Sequence, residues 1–220
     1  MIKLSHRVRG LFAGNYPENR EDEQLLVNNR GDVLQVQGLP WLTETVRLGD
    51  SWQTKTTTGT AALTSFPTTT PGLCLWNGEP TGLMGKCYVI DSVAVDVRVV
   101  DGTQSGSIAL FAMLNKPPIG APTDLALAIA SSMGKTYGGR ARTFITTVVD
   151  DGWMPCGSTP PVGATTLTNS VFKTQDVYLG GLYIVPPGSA FSIQACQVGS
   201  GALSCFFTIR WHEMGLLWKS

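Results

Sequence analysis

Two histidines, five cysteines and a few aspartates carry most of the reactive chemistry in this 220-residue sequence. The histidines are His6 and His212. A barrel-wall metal site needs several His and carboxylate ligands converging on one surface. His212 and Glu213 are neighbours in an extended run, so their side chains point to opposite faces. No metal site is expected there, and His212 is expected at a surface or interface near the chain end. A hydrolase triad would need one of the same two histidines as its base, and no G-x-S-x-G elbow occurs. Gly134-Lys135-Thr136 invites comparison with a phosphate loop, but the motif's first glycine would fall at Ile129, so a turn is the better reading.

Asp91, Asp96, Asp150 and Asp151 are the candidates for paired carboxylates, whose spacing is spatial rather than sequential. Asp150 and Asp151 precede Gly152 at a strand end, where acids usually serve turns. The cysteines, Cys74, Cys87, Cys156, Cys196 and Cys205, are odd in number and include no C-x-x-C pair, so zinc spacing is absent. Cys196 and Cys205 fall on neighbouring expected strands and can face each other, but buried free thiols are expected in a reducing compartment. Tyr137 and Trp153 lie in expected loops, where aromatics can stack on sugar rings or simply anchor the loop. They are the candidate ligand loop of a recognition module. Arg30-Gly31-Asp32 spells a cell-adhesion tripeptide, yet Asn29–Asp32 is a turn by composition. No catalytic residue, cofactor or metal is assigned, and the chain is expected not to be an enzyme.

The elements around these residues read as strands. From Val89 to Val100, the residues Val89, Val93, Val95, Val97 and Val99 share one face, with Asp91 interrupting it. Ser92, Asp96 and Arg98 fall on the other face, beside Ile90, Ala94 and Val100. A period of two in β-branched residues marks a half-buried strand. Asp101-Gly102 is a hairpin-type dipeptide that should end it. Ser107–Leu114 is apolar on both faces: Ile108, Leu110, Ala112 and Leu114 against Ala109, Phe111 and Met113. In an antiparallel protein its outer face needs cover, from a neighbouring subunit or an N-terminal arm. Shorter strands are expected at Leu73–Trp76 and Arg142–Val149, and Leu125–Ala130 is ambiguous. Pro155, Pro160, Pro161 and Gly163 mark a loop. Asp176–Val185, Ala190–Val198 and Leu203–Glu213, separated by Pro186-Pro187-Gly188 and Gly199-Ser200-Gly201, read as a meander.

Residues 1–49 differ. Glu18–Gln24 is acidic, Leu25–Asn28 and Val33–Gln37 are short extended candidates, and Leu39–Gly49 reads as one short helix with Pro40 at its start and Gly49 as its stop. The expected organisation is an N-terminal arm and short helix over 1–49 and a β-sandwich domain over 50–220. The fold class is all-β, a jelly-roll-like antiparallel β-sandwich with an extended arm and one short helix.

Formal net charge is zero, so no basic field exists to hold nucleic acid directly. Charged residues make up 15%, against roughly 25% in ordinary soluble domains. That shortfall points to surface covered by other subunits. No apolar run is long enough to cross a bilayer, and MIKLSHRVRG lacks the apolar segment of an export signal, so no membrane is expected and folding in a cytoplasm is.

Gly181–Ile193 followed by Thr208–Glu213, together with Leu73–Glu79 and Tyr88–Asp91, resembles virion proteins of environmental tailed phages. The resemblance spans about residues 40 to 213 and implies a jelly-roll subunit that coats or decorates a capsid or sits on a tail. It implies no catalytic residues. The function expected is therefore that of a viral structural protein, found in the virion and assembled in the host cytoplasm. Its partners would be copies of itself, as a trimer or larger, and other capsid or tail proteins. Leu11, Phe12, Tyr16, Trp41, Ala109, Phe111 and Met113 are the candidate subunit-interface residues. The alternatives are a receptor- or carbohydrate-binding module of a phage tail and a subunit of a self-assembling tube or fibre.

Overall fold

The computed structural model describes residues 50–81, 85–115, 130–131, 136–144, 147–158, 162–200 and 203–215. Among these residues there are strands and no helix. The strands are β1 (Ser51–Lys55), β2 (Thr60–Ala61), β3 (Leu73–Asn77), β4 (Lys86–Asn115), β5 (Ala130–Ser131), β6 (Ala141–Phe144), β7 (Met154–Ser158), β8 (Val162–Tyr178), β9 (Ile184–Val185), β10 (Ala190–Ser200) and β11 (Leu203–Gly215). The arm, the two extended candidates before residue 38, the Leu39–Gly49 helix and residues 125–129 lie outside the described residues.

β4 organises the molecule. Thirty extended residues would span about 100 Å if straight. Yet both its ends lie beside β3: the Asn77 side-chain amide donates to Lys86 O at 2.8 Å, and Ala190 pairs with both Trp76 and Asn115. The strand must therefore fold over, and its halves belong to two antiparallel sheets. One sheet runs β5–β1–β11–first half of β4–β8, with β2 also on β11 and β9 also on β4. The other runs β6–β3–β10–second half of β4–β7. One apolar core draws on both: Tyr88, Ile90, Val93, Val95, Val97, Phe207, Ile209 and Trp211 from the first, and Leu73, Leu75, Ile108, Leu110, Phe191 and Ile193 from the second. This arrangement is consistent with a β-sandwich.

The two expected reversals at Asp101-Gly102 and Gly199-Ser200-Gly201 are corrected. β4 continues through Asp101 and Gly102, and β10 and β11 lie end to end along it instead of pairing with each other. The glycines serve a corner. Gly106 and Gly199 are cross-strand partners, with φ of 109° and 147°. A Cβ on Gly106 would collide with Val198 O, and one on Gly199 with Ser105 O. Two strands thus pass together from one sheet to the other where only glycine fits both the dihedral and the close approach.

The expected meander is corrected as well. Asp176–Val185 is not one strand: β8 ends at Tyr178, Leu182 N donates to Leu179 O, and β9 is two residues long. The proline-rich loop yields strands β7 and β8. Pro155 is tolerated because β7 is an edge strand, pairing among the described residues with β4 alone. Arg142–Val149 shortens to β6.

The valine face also needs correction at one end. Between Arg210 and Trp211 the β4–β11 register slips, so that Asp91 is an extra residue on β4. This bulge reverses the alternation. Val93, Val95 and Val97 face the core as expected, but before the bulge Tyr88 and Ile90 do so, and Val89 does not. On β11 the expected face holds throughout, with Leu203, Cys205, Phe207, Ile209 and Trp211 all in the core.

Candidate functional site

A cleft of about 380 Å³ opens at the end of the sandwich where β1 and β4 begin and β11 ends. Asp50, Trp52, Glu79, Lys86, Arg140 and Glu213 line it, with Thr136, Gly138 and Gly139. Strand pairing sets Glu213 opposite Tyr88 and Trp52 opposite Trp211, so the cleft's floor is aromatic. Tyr137 stands edge-on to Trp52, their centroids 4.8 Å apart.

The Glu213 side chain is 3% exposed, and its two oxygens are both engaged. Oε2 takes the Lys86 ammonium at 2.7 Å and Oε1 accepts from the Tyr137 hydroxyl at 2.7 Å. The Tyr137 oxygen in turn accepts from Ala141 N at 2.9 Å and lies 3.4 Å from the Tyr88 hydroxyl. Glu79 holds Arg140 N at 3.1 Å, and its own amide donates to Asn77 Oδ1 at 3.0 Å. The Glu213 hydrogen bond holds the Lys86 ammonium above its usual range against some loss of solvation. Burial pushes the Tyr88 and Tyr137 phenols well above theirs, and the Glu213 charge adds to that. The phenols therefore stay protonated and the lysine stays charged. The cluster has no poised nucleophile. What it does is tie the start of β4, the end of β11 and the 136–140 segment together.

A second polar pair sits at the bulge. Asp91 Oδ1 lies 2.7 Å from His212 Nδ1, and the His212 side chain is fully buried. The expectation of a surface or interface His212 is corrected: the extra residue on β4 aims a carboxylate at it. Leu179 and Gly180 amides hold the Asp91 carbonyl at 2.8 and 3.1 Å. His212 and Glu213 do serve opposite faces, as their adjacency requires.

The four candidate carboxylates are not brought together. Asp91 bonds His212, and Asp96, on the same half of β4, bonds Arg98 on its own strand and Thr174 on β8. Asp150 accepts from Gly152 N at 3.1 Å, a turn bond, and Asp151 N donates to Met113 Sδ at 3.1 Å on the second sheet. All five cysteines are free. Cys205 faces the shared core while Cys196 lies in a second cluster on the outer face, so the two do not meet. Burial pushes the Cys205 thiol up to about 12 and those of Cys196 and Cys156 up to about 11. Among the described residues no three His, Cys, Asp or Glu side chains are grouped to hold a metal ion.

Of the candidate interface residues, Leu11, Phe12, Tyr16 and Trp41 lie outside the described residues. Ala109, Phe111 and Met113 share the outer face of the second sheet, as their alternation implies. At Phe111 and Met113 the cover comes from the same chain, where the sequence had suggested a neighbour or the arm. Phe66 stacks edge-on to Phe111 at 4.9 Å, Trp153 Nε1 donates to Thr68 O at 2.6 Å, and Val148 N donates to Thr69 O at 2.8 Å. Trp153 is thus a buried loop anchor and Tyr137 a half-buried member of the cleft network, and neither is an isolated exposed ring. The Lys86–Glu213–Tyr137 cluster went unread in the sequence, because its members are 127 and 76 residues apart. The one signal was a glutamate at the end of the otherwise apolar face of β11, after Leu203, Cys205, Phe207, Ile209 and Trp211.

No protein-family model matches the chain, and no curated protein matches it. Among solved structures, it is similar to a chain in the cryo-EM structure of mud crab dicistrovirus, at 9% identity and a TM-score of 0.24 over 94% of this chain and 91% of that one. A likeness at that TM-score carries no argument.

Proposed function

We propose that this protein is a virion structural subunit, a jelly roll that associates with copies of itself to coat or decorate a phage capsid or to form another part of the particle. The observation that carries the reading is the pairing order. In one sheet it runs β1–β11–first half of β4–β8, and in the other β3–β10–second half of β4–β7. Counting the halves of β4 separately, these are eight antiparallel strands in the interleaved order that two Greek keys produce. Jelly rolls build viral shells and also lectins and cupins. Two further features favour the shell: the low charge content, and the large apolar side chains left on the surface at Phe66, Tyr178, Leu182 and Val198. The residues of the 1–49 segment, with Leu11, Phe12, Tyr16 and Trp41, would reach over a neighbouring copy. Ala109 would contribute from the second sheet. Other capsid or tail proteins would complete the partners, and the chain would perform no catalysis.

Fold alone does not fix function, so assembly is the test. Electron microscopy of the purified protein should show closed rings, shells or ordered arrays. Dispersed single particles at high concentration would contradict the reading.

A further inference from the structure

We infer that the outer edge of β8 is where a second copy of this chain joins, the two β8 strands pairing antiparallel across a two-fold axis so that the first sheet continues from one copy into the next. This rests on the proposal that the protein self-associates, and it names the surface. Among the described residues β2, β5, β6, β7, β8 and β9 each have one strand partner, β2 and β9 over two residues each. β5 has two residues, β6 has four, and β7 has five with Pro155 among them. β8 has seventeen and pairs with β4 alone.

An open edge offers a row of unpaired amides and carbonyls, and solitary proteins blunt such edges with prolines, charges, bulges or short strands. β8 has register shifts opposite Val97/Arg98 and Gln104/Gly106, which leave Thr165–Val171 and Lys173–Tyr178 as its regular stretches. β8 has no proline, and Lys173 and Asp176 are its only charged residues. Its composition favours pairing instead: Thr165, Thr166, Thr168, Thr174, Val162, Val171 and Val177 give it β-branched residues along its length. The edge continues past the end of β8 into an apolar lip, where Tyr178 is 66% exposed, Leu182 75% and Ile184 47%. Gly180 and Gly181, both at positive φ, turn the chain there and leave Leu182 exposed.

The size suits a second copy. Seventeen extended residues make a strip about 58 Å long and about 10 Å high, roughly 580 Å². The three apolar side chains bring that toward the roughly 800 Å² per partner that stable complexes bury. An antiparallel strand paired with itself also satisfies a two-fold axis, the commonest closed contact.

The test is hydrogen exchange on the full chain across a dilution series, with native mass measured in parallel. Assembly with exchange in residues 162–178 slowed about tenfold or more relative to the dilute protein is the expected result. The double variant Tyr178→Lys with Leu182→Asp, which alters only exposed side chains, should weaken assembly at least about tenfold while leaving the dilute protein's thermal midpoint unchanged. Assembly with unchanged exchange in β8 would overturn this inference and leave self-association standing. A mass that stays monomeric at every concentration would overturn self-association itself.

Discussion

At the scale of single residues, burial separates the ion pairs that matter from those that do not. Asp91→Ala strips the buried His212 ring of its carboxylate partner and should cost about 2–3 kcal/mol. Asp96→Ala breaks a half-exposed pair with Arg98 and should cost under about 1 kcal/mol. Urea midpoints at unchanged slope measure both. The thiols and Lys86 predict an alkaline effect of one sign. Unfolded thiols ionise near 8.5, whereas burial pushes Cys205 up to about 12 and Cys196 up to about 11. The native state therefore keeps protons that the unfolded chain releases, so stability is level below pH ~8.5 and falls as pH rises toward the native values. Lys86, raised by Glu213, adds a loss of the same sign above pH ~10.4. Unfolding free energies from pH 8 to 11 should show the decline, and Cys205→Ala should make it shallower without removing it, because the other buried thiols still contribute. A stability that rises over that range would contradict the assigned burial. Residue types made some of this legible. Asp91 stood out as the one acid in a valine face, but nothing local paired it with His212, 121 residues away.

Elements show where period-two reading succeeds and where it breaks. The two faces of Ile108–Met113 and the core face of β11 were legible, because alternation is unbroken there, whereas Leu114 at the end of that run is 42% exposed. The phase of Tyr88, Val89 and Ile90 was not. One inserted residue inverts it, and a bulge is visible only through its partner strand. Deleting Asp91 should join the two register segments into one regular ladder with Tyr88 and Ile90 still facing the core, so its main cost is the carboxylate lost from beside His212. Circular dichroism should show cooperative unfolding kept in the deletion variant, with a midpoint lowered about as far as in Asp91→Ala. The turn dipeptides misled for a related reason. Glycine supplies a positive φ whether the chain reverses or bends, and only the register of Gly106 against Gly199 shows a corner. Gly199→Ala should cost about 3 kcal/mol or more, from strain plus collision with Ser105 O. Gly188→Ala, at φ 80° with open space around it, should cost only about 1 kcal/mol. On the second sheet, Trp153→Ala should cost about 3 kcal/mol and speed amide exchange beneath the 147–153 segment, because that side chain anchors cover over Phe111 and Met113.

At the scale of the whole molecule, composition anticipated an all-β body, and two antiparallel sheets sharing one core are what the described residues form. The cleft cluster was illegible because its members come from the start of β4, the end of β11 and the 136–140 segment, which are remote from one another in the chain. Its buried glutamate is saturated by a lysine and a tyrosine, and its phenols are held protonated, which suits a joint between segments. A low charge content, exposed apolar side chains and a seventeen-residue edge strand all favour association between copies. Sedimentation of the purified full chain from micromolar to millimolar concentration tests this most directly. The mass should climb from the 23.5 kDa of one chain to a defined multiple. A single species of 23.5 kDa across the whole series would contradict it.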